Sequence, residues 1–235
     1  MSQKSFFLCF ILSIVTMPAF GLAQCTLGID AKNVLSSFVA YTDLRINSVQ
    51  QSLEILAATT EARSGKWENI KGLLSGYQKS DSGLIVWYVR PDGTYYTVDK
   101  GLMDVKLTDR SYFPDIIEGR SVIGALVVSK STAQRSTVIA IPVKEEGKIV
   151  GAVGASLFLD RLSEQLDSTF ILPQDAAFFA LAPNGLTTLH REKDRHFLDP
   201  REMGSETLKM AANEMLAKTS GETTYIFDNV MKMAI

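Results

Sequence analysis

The sequence predicts an α+β fold in which one long helix precedes an antiparallel sheet, and a smaller copy of the sheet unit follows. Three observations carry this. The run from Asp30 to Ala62 holds neither proline nor glycine and repeats apolar or small residues at helical spacing. Between Leu84 and Leu159, β-rich runs alternate with glycine-bearing turns. The turn Arg90-Pro91-Asp92-Gly93, set between two strands, returns about ninety residues later as Ala182-Pro183-Asn184-Gly185, the mark of a duplicated module.

The N-terminus reads as an export signal over residues 1–24. Lys4 gives a positive start, Phe6 to Val15 is almost wholly apolar, and Gly21-Leu22-Ala23 fits cleavage before Gln24. The apolar core is short for a membrane span, which needs about 20 such residues. Leu22-Ala23-Gln24-Cys25 also forms a weak lipobox, so lipidation at Cys25 is the alternative. Either way the mature chain works outside the cytoplasm, in the periplasm or on the outer face of the plasma membrane. Cys9 and Cys25 are the only cysteines, and processing leaves at most one, so no intramolecular disulfide is expected. A net charge of −2 over 235 residues gives no electrostatic case for nucleic acid.

In the long helix, Leu35, Val39, Thr42, Ile46, Val49, Leu53, Leu56 and Thr60 alternate steps of four and three. That is a heptad seam, able to lie on a sheet or to pair two copies as a homodimer. Ser64-Gly65 ends it, and Trp67, Ile70, Leu73, Leu74 and Tyr77 mark a shorter amphipathic helix. Leu84–Val89 and Thr94–Val98 form a hairpin, because Pro91 presets φ and Gly93 takes the positive φ of the turn. A short helix near Pro114 precedes strands at Val122–Val128, Ser136–Val143 and Ile149–Leu159, completing a five-stranded antiparallel sheet. Asp160–Asp167 is a helical connector. The second copy follows with strands at Ala176–Leu181, Leu186–His190 and Thr223–Phe227 and a helix through Leu208, Ala211, Met215 and Leu216. It closes at Ile235 on a strand expected to lack a closing partner, so truncation of this module is expected. The organisation predicted is a signal (1–24), two helices (25–80), a first module (81–170) and a second, incomplete one (171–235).

Asp109-Arg110-Ser111-Tyr112-Phe113, Ile141-Pro142-Val143, Gly147-Lys148-Ile149-Val150-Gly151 and Asp160-Arg161-Leu162, in this order behind an export signal and a long helix, carry a resemblance. The sequence resembles the double Cache domains of bacterial extracytoplasmic sensors, found on chemoreceptors and sensor kinases, closely over Ala31–Phe170 and less so beyond. The resemblance implies a PAS-like sheet present twice, a membrane-distal module that binds an organic acid, amino acid or amine, and a membrane signalling partner. It also implies that Arg110 and Tyr112 line the pocket. The amino-acid-binding version has a tryptophan soon after the arginine and an acidic residue in the last strand. Here Ser111-Tyr112-Phe113 follows Arg110, and Ser156 stands at the acidic position. A carboxylate without an amine is therefore favoured over an α-amino acid.

The residues themselves agree with that chemistry. Arg110 offers a planar fork of donors that matches a carboxylate, the competing reading being an ion pair with Asp109 or Asp115. Tyr112 could donate to the same carboxylate or pack beside Phe113. Tyr88 and Trp87 alternate faces, and Tyr88 is taken as the one facing the pocket. Ser129 and Lys130, with Ser131, form a polar run that could cap a ligand or lie in solvent. His190 and His196 sit in a charged run that reads as solvated, and no metal-ligand spacing, phosphate loop or nucleophile elbow occurs. No enzyme, cofactor or metal is expected. The expected function is extracytoplasmic binding of a small organic carboxylate that feeds a signal-transduction or chemotaxis partner. The alternative is a periplasmic solute-binding or interaction lipoprotein without signalling.

Overall fold

The structure, a computed structural model, describes residues 9–15 and 31–235. Residues 1–8 and 16–30 lie outside the described residues, and with them most of the expected export signal and Cys25. The chain divides into two compact units, Met1–Asp43 with Leu159–Ile235, and Leu44–Phe158. After strand β1 (Cys9–Val15), the long helix α1 runs from Ala31 to Ala57. The expected continuation to Ala62 is broken. Thr59 has extended backbone (φ −72°, ψ 154°) and its hydroxyl accepts from the Ala62 N–H, so a separate helix α2 (Thr60–Arg63) starts there. A threonine hydroxyl satisfies an orphan donor at a helix start and so competes with continuing the previous helix. Thr42, Ile46, Val49 and Leu53 of the predicted seam are buried by the chain itself, joined by Phe38 and Ala57.

The Leu44–Phe158 unit holds α3 (Trp67–Ser80), β2 (Leu84–Val89), β3 (Thr94–Thr97), β4 (Gly101–Lys106), α4 (Phe113–Ile117), β5 (Val122–Val128), β6 (Arg135–Glu145) and β7 (Lys148–Phe158). They make a six-stranded sheet in the order β4-β3-β2-β7-β6-β5, antiparallel at every pairing. β4 is the strand that the sequence reading lacks. It is a largely exposed edge carrying Asp104 and Lys106, with no apolar alternation to announce it. The turns behave as predicted: Gly93 has φ +82°, and Glu146 and Gly147 take φ +48° and +80° between the two longest strands. Two positive-φ residues match the right-handed twist of a hairpin.

Alternation along the strands gives this sheet two faces. On one, α3 packs over β2, and the Trp67 ring stacks on Tyr96 with centroids 5.1 Å apart. On the other, Trp87, Val89, Tyr95, Val138 and Ala152 meet Leu107, Tyr112, Phe113 and Ile116 from the segment that links β4 to β5. The Trp87 indole lies across Gly154 of β7. A Cβ at that position would stand 2.3 Å from the indole Cζ2, so only glycine lets the ring rest there.

The other unit contains α5 (Leu159–Thr169), β8 (Ala176–Leu181), β9 (Thr187–His190), α6 (Glu206–Ala217), β10 (Thr223–Phe227) and β11 (Val230–Ala234). Its five-stranded sheet has the order β10-β11-β1-β8-β9. Phe38 packs its ring against Phe170 and Phe178, at 4.6 and 5.0 Å between centroids. β1 is the middle strand, antiparallel to both β8 and β11. Thus the described part of the expected signal is, in the intact chain, a strand whose Ile11 and Leu12 are 2% and 3% exposed. The final strand is not left open as expected: β11 pairs with β10 on one side and β1 on the other. Asp228 and Asn229, at φ +53° and +61°, make the tight β10–β11 turn.

Candidate functional site

Beneath the segment joining β4 to β5 lies a cavity of about 20 Å³. That is room for roughly one water molecule. Arg110, Tyr112, Ser129 and Lys130, four residues expected from the sequence, all line it. Trp87, Tyr95 and Ser156 complete its polar and aromatic wall.

Arg110 is anchored rather than splayed into solvent. One terminal nitrogen, Nη2, donates to the Val128 carbonyl at 2.7 Å. Its Nε is buried and has no hydrogen-bond partner among the described residues. The Tyr95 hydroxyl is buried and unpartnered in the same way. Two donors without acceptors thus face one hollow. Burial pushes the Tyr112 hydroxyl up to about 12, against a smaller lowering by Arg110, and raises Tyr95 too. Both phenols stay neutral near pH 7 and keep a proton to donate.

The Ser129–Ser131 segment is not a solvated turn. Ser129 and Ser131 are each 7% exposed, and their hydroxyls lie 3.1 Å apart. Lys130 donates to the Lys106 carbonyl at 2.6 Å and to Asp109 at 2.5 Å. Its charge is therefore matched by Asp109, whose carboxyl is held below the usual range first by that hydrogen bond. Among the described residues Arg110 makes no ion pair, and Asp109, whose charge it also feels, is hydrogen-bonded to Lys130 instead.

Tyr88 does not line the cavity. Its hydroxyl donates to the Val150 carbonyl at 2.9 Å on the opposite face of the sheet, and burial pushes it up to about 12. Trp87 takes the inward position, its Nε1–H donating to Ser156 Oγ at 3.2 Å. Tyr95 was missed as well. Its cross-strand partner is Val89, two residues from Trp87, so strand parity puts Tyr95 and Trp87 on one face.

The histidine run also departs from expectation. His196 is fully buried, its Nδ1 2.7 Å from Asp160 Oδ1 and its Nε2 3.1 Å from Ser163 Oγ. This Asp–His–Ser line has triad-like spacing, but Ser163 is 2% exposed and none of the three lines a described cavity. A nucleophile must reach its substrate. The line instead pins α5 to the loop after β9. Among the described residues, no group of three metal-ligating side chains is placed to hold a metal ion. Nor is any described helix long and apolar enough to cross a membrane.

His190 gives the chain a predictable acid response. Burial holds it down to about 4; Glu192 and Asp194 oppose this, and Arg195 and His196 reinforce it. Lys232 and Asp228 face it across a second cavity. With the folded value below the ordinary 6.5, the unfolded chain takes up the proton first. The stabilisation is present above about pH 6.5 and is lost as pH falls towards 4, amounting to at most about 3 kcal/mol. Melting temperature should fall across that window in thermal denaturation, and His190→Gln should flatten the fall. An unaltered slope in the variant would assign the acid response to other groups.

A long helix with two antiparallel-sheet modules is the fold of the double Cache sensory domains, and solved structures show it. The ligand-binding domain of the Campylobacter jejuni chemoreceptor Tlp3, in complex with L-norvaline, matches with a TM-score of 0.64 at 14% identity, over 89% of this chain and 88% of that one. Two Pseudomonas aeruginosa amino acid chemoreceptor domains match as well. PctB, in complex with L-Arg, gives a TM-score of 0.62 at 17% identity, covering 86% of this chain and 89% of its own. PctC, in complex with GABA, gives 0.57 at 15% identity, covering 86% and 94%. No protein-family model matches the chain, and no curated protein matches its sequence.

Proposed function

We propose that this chain is an extracytoplasmic binding domain that captures a small organic carboxylate at Arg110 and passes the event to a signal-transduction or chemotaxis partner. In this reading residues 1–24 are the export signal, 81–170 the ligand-binding module and 171–235 the membrane-proximal one. The carrying observation is the pair of buried, unpartnered donors, Arg110 Nε and Tyr95 Oη, on one cavity. A buried donor without an acceptor costs about 1–3 kcal/mol. A carboxylate is acceptor-only and would satisfy both at once. The ligands of the similar domains, norvaline, arginine and GABA, all carry a carboxylate.

No acidic side chain lines the cavity to receive an ammonium, and Ser156 is engaged by Trp87. This supports a carboxylate without an amine. The hollow has room for about one water, less than a carboxylate head, so a ligand must displace the covering segment around Leu107–Phe113 to enter. Capture then shifts the chain between two states by differential affinity, with no covalent step.

The test is a thermal-shift screen of the full chain against small carboxylates, matched amines and amino acids. A carboxylate at 100 times its Kd should add about 2.7 kcal/mol of stability, a rise of several degrees for a domain this size. A rise with amino acids alone would overturn the amine-free preference. A flat response to every carboxylate would sink the binding reading.

A further inference from the structure

A second cavity, of about 100 Å³, opens within the other unit, against about 20 Å³ around Arg110. All its lining residues lie between Ala177 and Lys232. Phe179, Tyr225 and Phe227 give it an apolar wall, and Phe179 stacks on the His190 ring with centroids 6.0 Å apart. Two cations lie over the Phe227 ring, Arg195 Cζ at 5.2 Å and Lys232 Nζ at 5.4 Å from its centroid. Arg195 Nε is paired with Glu192 at 3.1 Å. Lys232, half-buried at the cavity, has no carboxylate partner among the described residues.

His190 adds a directed donor. Its Nδ1 accepts the Glu192 N–H at 2.7 Å, so the neutral ring carries its proton on Nε2. Glu192 and Asp228 stand at the rim and would repel a second negative charge. We propose that the second module holds its own anion site, in which Lys232, Arg195 and the His190 Nε2–H take the carboxylate of a short monocarboxylic acid while Phe179, Tyr225 and Phe227 cover its alkyl part. Size follows from volume. A cavity of about 150 Å³ accepts benzene, so this one suits an acid of about two to four carbons. The site is independent of Arg110, and the chain would read two anions, one per module.

The probe is propionate, titrated calorimetrically into the full chain carrying Arg110→Ala, so that the first cavity is out of play. Saturable one-site binding is expected to persist. Adding Lys232→Gln should weaken it about tenfold or more, the loss expected for a charged hydrogen bond, while Lys232→Arg should keep it. Unliganded melting temperatures should differ by no more than a few degrees across the three chains, since the ammonium makes no ion pair among the described residues and Lys232→Gln loses only its contact with the Phe227 ring, about 0.5–1 kcal/mol. Propionate should slow amide exchange over residues 223–234 and not over 106–131. No saturable binding to the Arg110→Ala chain, or binding indifferent to Lys232→Gln, overturns the second site. If propionate binds the unaltered chain but not the Arg110→Ala chain, the first cavity stands and this one fails.

Discussion

Arg110→Ala should remove the carboxylate-induced rise in melting temperature and weaken binding about 10- to 100-fold. The magnitude is that of one charged hydrogen bond, about 1.5–3 kcal/mol. The geometry explains why the effect should fall on binding rather than on folding. Among the described residues the Arg110 side chain makes one hydrogen bond, to the Val128 carbonyl, and carries one buried N–H with none. Truncation loses the first and relieves the second, so the unliganded melting temperature should move little. Lys106, Asp109 and Lys130 form their own cluster and are left intact. Arg110→Lys should fall between, because it keeps the charge and loses the planar fork. Calorimetric titration of the three chains with the best carboxylate from the thermal screen decides it. Equal affinities would remove Arg110 from the site.

Tyr95→Phe should move stability and binding in opposite directions. The Tyr95 hydroxyl is buried without a partner, so deleting it relieves about 1–3 kcal/mol and raises the unliganded melting temperature by a few degrees. The same deletion removes a donor from the ligand and should weaken carboxylate binding about 2- to 10-fold, the range of a neutral hydrogen bond. A residue that merely packs would show a fall in melting temperature, or no change, and no effect on affinity. A lower melting temperature in the phenylalanine chain would mean that the hydroxyl already has an acceptor, and the site would lose one of its two supports.

The sheet of the first module was legible because β-branched runs such as Leu84–Val89 are punctuated by Pro91, Asp92 and Gly93, whose backbone preferences are local. β4 was not, because an exposed edge with Asp104 and Lys106 is defined by its pairing with β3 and not by its own composition. Cys9–Val15 shows a deeper ambiguity. A short apolar run suits a signal core and a strand buried on both faces equally well, and periodicity does not separate them. At the site, Arg110 and Tyr112 could be picked out by motif. Trp87 against Tyr88, and Tyr95 against Tyr96, are choices of strand face, which a one-residue slip reverses. The Val89–Tyr95 pairing ties the two choices together, and the cavity lining of Trp87 and Tyr95 says which face is meant. His196 was hidden by its neighbours, since a fully buried imidazole inside His-Arg-Glu-Lys-Asp-Arg-His has no compositional sign.

The glycine under Trp87 makes the depth of the first cavity a property of the main chain. With no side chain at Gly154, the indole already sits as low on β7 as any ring can. A cavity with such a floor is deepened only by shrinking the tryptophan itself, while any larger residue at position 154 lifts the indole and makes the hollow shallower. Ligand length is thereby gauged by two positions acting in opposite senses, and the more permissive setting of the glycine is already in use.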